Sequence, residues 1–99
     1  MLPLKRLQKS NTIENLWLYI LTLARKKPIY AYILQKEIKK QFGFKPGRIT
    51  SYRVLYRLEK ECLVNSNLKD NKRIYQITAK GKAELEEAKE IYKKVLKML

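Results

Sequence analysis

At Cys62 the apolar residues change period. Before it, Tyr52, Leu55 and Leu58 recur at i, i+3 and i+6, the spacing that lines up side chains on one face of a helix. After it, "CLVNSNL" and "RIYQIT" are short β-prone runs separated by "KDNK", whose Asp and Asn suit a tight turn. A helix over about 49–61 therefore runs straight into a two-stranded hairpin with a polar, basic tip. The helix also has a second face. Thr50, Arg53 and Arg57 fall roughly opposite the apolar seam at about 100° per residue.

The flanking segments are helical. Asn11 and Glu14 have the spacing of a capping box, and Ile13, Leu16, Trp17, Ile20, Leu21, Leu23 and Ala24 then recur at helical spacing until "RKKP", giving a first helix near 12–25. Pro28 permits a new start. Ile29, Ala31, Leu34 and Ile38 mark a second amphipathic helix that ends at Phe42-Gly43, with Lys36, Lys39 and Lys40 off its apolar stripe. Thr78 caps a last helix in which Leu85, Ala88, Tyr92, Val95 and Leu99 alternate spacings of three and four. Residues 1–10, "MLPLKRLQKS", read as an N-terminal arm outside the core.

Composition narrows the chemistry. Lys and Arg number 23 against 9 Asp and Glu, a net charge of +14 on a chain of 99 residues, enough for one small domain. Such a field attracts polyanions, nucleic acid first and an anionic membrane surface second. With one cysteine and no histidine, an internal disulfide framework and a Cys/His zinc site are both excluded, and a reducing, cytoplasmic setting is expected. The longest apolar run, "LWLYILTLA", is short for a membrane span and reads as a buried helix. The commonest general base is missing, and no Gly-rich phosphate loop replaces it. Glu84, Glu86, Glu87 and Glu90 alternate with lysines as on a solvated helix face, so neither an enzyme nor a cofactor is expected.

Helix, helix, helix, hairpin, helix is the order of a winged helix-turn-helix, mainly α with a small β-hairpin, in which the third helix can enter the major groove while the hairpin touches flanking backbone. Arg53 and Arg57, one turn apart, can each reach a guanine edge or clamp a phosphate. The candidate DNA-contacting residues are Tyr32, Lys36 and Lys39 on the second helix, Arg48, Thr50, Ser51, Arg53 and Arg57 on the third, and Asn71, Lys72 and Arg73 at the hairpin tip. Three regions follow: the arm (1–10), a winged-helix DNA-binding domain (11–78) and a C-terminal dimerisation helix (79–99). The proposed dimer contacts are Leu85, Ala88, Ile91, Tyr92, Val95, Leu96 and Leu99, more apolar surface than one helix needs to dock on so small a core.

The residues also resemble a known family. "ILTLARKKPIYAYILQKEI" is similar to the start of a PadR-like winged-helix regulator, with Pro28 and Tyr32 matching and Ala31 where that family usually has glycine. "TSYRVLYRLEKECLV" resembles its Tyr-x-x-Leu-x-x-Leu-Glu segment, with Thr50, Tyr52, Leu55, Leu58 and Glu59 in register and Cys62 in place of a helix-ending glycine. "RIYQITAKGKAEL" resembles its Tyr-x-Ile-Thr-x-x-Gly-Lys strand. The resemblance covers roughly residues 16–86 and implies a homodimeric transcription factor, usually a repressor, that binds an inverted repeat of double-stranded DNA. Some members bind aromatic effectors. Here Trp17, Tyr19 and Tyr92 are the aromatic residues that would line such a pocket, and the same helical spacing suits plain core packing. The competing reading is a nonspecific architectural nucleic-acid-binding protein, and a protein-docking module is a third; a membrane-surface role fits least, because the basic residues are spread over several elements.

Overall fold

Pro3 starts a helix within the segment expected to be an arm. The structure, a computed structural model that describes residues 2–99, opens with α1 (Pro3–Ser10), whose proline sits in the first turn, where a missing N–H breaks no helical hydrogen bond. No residue of α1 is buried. The expected capping box at Asn11 and Glu14 does not form. Asn11 Nδ2 donates instead to Leu7 O at 2.8 Å, a carbonyl that also accepts the Asn11 backbone N–H at 3.0 Å, and Glu14 lies 3.9 Å from the Lys9 ammonium.

A single 3-10 turn (Ile13–Asn15) leads into α2 (Leu16–Lys26), the centre of the core, with Ile20 and Leu21 fully buried. It stops because Lys27 is extended ahead of Pro28, the backbone a residue before proline prefers. The segment after Pro28 corrects a second expectation. Ile29–Tyr30 form a short strand, β1, and a 3-10 turn (Ala31–Ile33) precedes the helix proper, α3 (Leu34–Phe42). Gly43 ends α3 in the left-handed region at φ 84°, as expected for a helix-terminating glycine.

The next helix, α4 (Arg48–Lys60), corresponds to the third helix of the sequence reading, and it packs Leu55 and Leu58 into the core with Tyr52 half-buried beside them. Its exit is a Schellman motif, in which Cys62 N–H bonds Glu59 O at 3.0 Å and Leu63 N–H bonds Leu58 O at 2.9 Å. That geometry places Cys62 at φ 65°, where a Cβ is strained and glycine is not. The Cys62 side chain is exposed and does no packing that glycine would forfeit. Cys62→Gly is therefore expected to stabilise the fold by about 0.5–1 kcal/mol, relief of the left-handed strain being partly offset by the looser unfolded chain. A urea titration of both proteins measures it.

The hairpin follows as β2 (Val64–Lys69) and β3 (Lys72–Ile77), antiparallel, with Lys69 opposite Lys72 and only Asp70-Asn71 between them. Both turn residues have positive φ, 54° and 62°, the type I′ geometry that matches strand twist. The hairpin is not alone. β1 adds to β3 with Ile29 opposite Tyr75 and Tyr30 opposite Ile74, so the sheet has three strands in the order β1-β3-β2. Ile29 and Tyr75 are both buried against α2, and that burial draws residues 29–30 away from the helix expected there.

The last helix, α5 (Ala79–Met98), starts at Thr78, whose hydroxyl accepts from Gly81 N–H at 3.0 Å. Its first turn buries Gly81 against Leu63 and Ile77, its next turns dock on α2 through Leu85 and Ala88, and Arg25 of α2 hydrogen-bonds Glu86 across the junction. That bond holds the Glu86 carboxyl below its ordinary range, though so exposed a pair orients α5 more than it stabilises it. The second half projects beyond the core with every residue exposed. Mainly helical with a small antiparallel sheet, the chain is a winged helix-turn-helix.

Candidate nucleic-acid interface

Among the described residues, nothing covers the outer side of α4. At about 100° per residue, Ile49, Tyr56, Arg57, Lys60 and Thr50 spread to either side of Arg53, and all six are exposed. Arg48 begins the helix, also exposed. Ser51 was expected among the contacting residues and is not available. It is 2% exposed, and its hydroxyl donates to Gly47 O at 2.8 Å. Only one residue separates it from the outward Arg53, but two positions turn a helix by about 200°, so Ser51 points into the core.

Two other elements carry expected residues. Tyr32 is exposed in the 3-10 turn ahead of α3, and with Lys36 and Lys39 it borders a shallow basic recess that Gln35, Lys40 and Lys45 complete. Lys39 also caps its own helix, its ammonium 3.4 Å from Gly43 O. Beside Tyr32 stands the hairpin. Lys72 Nζ lies 5.0 Å from the centre of the Tyr32 ring, a cation–π contact that ties the hairpin tip to the start of α3. The Tyr32 ring is in turn 5.6 Å from that of Tyr30. One contact thus joins elements forty residues apart in sequence.

The remaining expected residues divide. Asn71 sits in the turn itself and is exposed. Arg73 is on the strand face that looks toward α4, where Nη1 donates to Ser66 Oγ at 3.3 Å while that hydroxyl donates to the Glu59 carboxylate. Part of its donor capacity is therefore spent inside the fold. Burial pushes the neighbouring Tyr75 hydroxyl up, and nearby Glu59 adds to the shift. Arg57 lies about 40° from Arg53 around α4, on the side of Thr50. There it lines a recess of 320 Å³ together with Trp17, Glu14, Glu61 and Glu84, in partly acidic surroundings that Arg53 does not share.

Four exposed residues went unnoticed in the sequence: Lys45 before α4, and Ile49, Tyr56 and Lys60 on it. A helical projection centred on Arg53 contains the last three, within about 60° of it. What hid them is that Ile49 and Tyr56 look like core residues by type. Of the aromatic residues weighed as a pocket, Tyr19 and Tyr92 come together and Trp17 does not join them. Trp17 lines the recess beside Arg57, whereas Tyr19 and Tyr92 border a separate cleft between α2 and α5. Tyr19 packs edge-on against Phe42 and Phe44, with ring centres 4.9 and 5.0 Å away. The expected dimer seam also divides. Leu85 and Ala88 are 3% and 8% exposed, buried in their own core against α2, so the unpartnered stripe consists of Ile91, Tyr92, Val95, Leu96 and Leu99.

No helix among the described residues is long and apolar enough to cross a membrane. The sequence profile of the transcriptional regulator PadR-like family matches residues 20–87, more than half of the chain. Among solved structures, the chain is similar to a PadR-like transcriptional regulator from Bacillus cereus at 29% identity, with a TM-score of 0.75 over 92% of this chain and 91% of that one. A PadR family transcription regulator from a hypervirulent Clostridium difficile is 25% identical, with a TM-score of 0.75 over 83% and 91% of the two chains. Bacillus subtilis PadR in complex with operator DNA shares the fold at 24% identity and a TM-score of 0.64, over 77% of this chain and 47% of that one. No curated protein sequence matches the chain.

Proposed function

The chain belongs to the PadR-like family of transcriptional regulators, a DNA-binding family and not one of enzymes, and from that premise we propose that it represses transcription as a homodimer bound to an inverted repeat of duplex DNA. The observation that carries the reading is the Tyr32–Lys72 contact, because it joins the hairpin tip and the lysines of α3 in one basic surface, and α4, which packs on α3, leaves its outer side exposed. On this reading Arg53 and Arg48 address base edges from the start and middle of α4, and Thr50 and Arg57 contact backbone along the same helix. Tyr32, Lys36, Lys39, Asn71, Lys72 and Arg73 hold phosphates to either side. Repression then requires only that the site be occupied.

Dimerisation is supported by the stripe on the second half of α5. Ile91 is 62% exposed and Leu96 75%, with Tyr92 and Val95 between them, and nothing among the described residues buries this length of apolar surface. Leu4 and Leu7 of α1 are likewise exposed, and a helix of 8 residues that buries none of them is marginal alone. A two-fold partner covering both would leave residues 11–78 as the DNA-binding unit, α5 as the main dimer element and α1 as its accessory. The repeat in the DNA would then mirror the protein's symmetry.

Selection of bound sequences from a random duplex pool tests the reading. A palindromic consensus, preferred over random duplex by at least about a thousandfold at physiological salt, is the expected result. An enriched pool without a consensus would instead favour a nonspecific architectural coat, which a net charge of +14 also suits. Within the same experiment, Lys72→Ala should weaken every duplex alike and lower the slope of log affinity against log salt by about one unit. A loss confined to particular sequences would put the hairpin in base readout.

A further inference from the structure

We infer that Ile49 reads the C5-methyl group of a thymine, so that each half-site carries a thymine at one fixed position; the inference rests on the DNA-recognition reading above. Ile49 is the second residue of α4 and 70% exposed. It lies about 40° from Arg53 on the uncovered side of the helix. Recognition helices present their N-terminal residues to base edges, so the first turn of α4 is where a base contact is expected.

Its chemistry then selects the target. Ile49 has no polar side-chain atom and can hold neither a phosphate nor a hydrogen-bonding base edge, tasks its neighbours Arg48 and Arg53 are equipped for. The distinctly apolar feature of the major groove is the methyl of thymine. Ile49 takes no part in the hydrophobic core or the residues packed against it, so intramolecular packing does not explain an isoleucine there. A β-branched side chain in a helix is largely confined to one χ1 rotamer, so its methyl groups are already positioned before DNA arrives. Tyr56, 61% exposed and stacked nearly parallel to Tyr52 at 6.4 Å, continues an apolar strip along the same face.

The test uses the consensus selected by the full chain. Each thymine is replaced in turn by deoxyuridine, which pairs identically and lacks only the methyl. At one thymine per half-site the replacement should weaken the wild-type protein about fourfold, or on the order of tenfold when both halves are changed. Ile49→Ala should bind the original site with that weakened affinity and be indifferent to the replacement at the same position. The variant is expected to fold, since the side chain is exposed and alanine favours the helix. A consensus with no methyl-sensitive thymine, or one whose methyl effect persists in full in Ile49→Ala, overturns this inference and leaves the DNA-recognition reading standing. A pool that enriches no consensus overturns both.

Discussion

Gly81→Ala is expected to destabilise the fold by about 3 kcal/mol or more, although alanine is the better helix former by about 1 kcal/mol. The reason is contact between backbones. A Cβ built on Gly81 would lie 2.1 Å from Leu63 O and 2.8 Å from Ile77 Cγ1, and a carbonyl within a strand junction cannot move aside as a flexible side chain can. Leu63 O is also committed, since it accepts from Thr78 N–H at 3.1 Å, and the Thr78 hydroxyl donates to Cys62 O at 2.7 Å. The first turn of α5 is thus laid against the exit of α4. At roughly 4–8 °C per kcal/mol for a domain of this size, the melting temperature should fall by at least about 12 °C. Ala83→Gly, on the exposed side of the same helix, supplies the comparison, with an expected loss near 1 kcal/mol from propensity alone. If Gly81→Ala melts at or above the wild type, the close approach of α5 to Leu63 is wrong.

Val95→Asp is expected to separate the two chains of the proposed dimer while leaving each one folded. Val95 is 43% exposed, beyond Ala88, the last residue of α5 buried in the core, so the change removes no intramolecular packing of consequence. In a two-fold seam the same position is buried twice, and an ionised carboxylate there has no partner. Wild type should sediment at twice the 11.9 kDa chain mass at micromolar concentration, and the variant at the chain mass. Affinity for the palindrome should drop by two to four orders of magnitude, because one module loses the effective concentration its twin provided. Binding to a single half-site should be nearly unchanged. A wild-type monomer, or a variant dimer that binds normally, contradicts the proposed assembly. The two variants are also distinguishable from each other: Gly81→Ala weakens the fold, and Val95→Asp only the pairing.

Periodicity carried the order of elements, since a helix or a hairpin writes its own spacing into the chain. Leu55 and Leu58 inward with Arg53 outward, the Asp70-Asn71 turn, the Thr78 cap and the Gly43 terminus all depend on residues within a few positions of one another, and each was legible on that account. Even the irregularity at Cys62 was visible, as a side chain where a terminating glycine was expected. What remained hidden depends on distant partners. Ile29–Tyr30 became a strand because Tyr75 and Ile74 offered an edge to pair with, and no local pattern in two residues announces that. Ser51 and Arg53 are both polar, and only the packing of α4 makes one an internal hydrogen-bond donor and the other a free guanidinium. Lys72 meets Tyr32 because β1 brings the start of α3 up to the hairpin. The stripe on α5 has a single period from Leu85 to Leu99, yet its first turns are buried by α2 and its last turns by nothing among the described residues. Spacing decides which side chains share a face, whereas the surface that covers the face is contributed by residues far away in the chain, and only the folded structure brings them together.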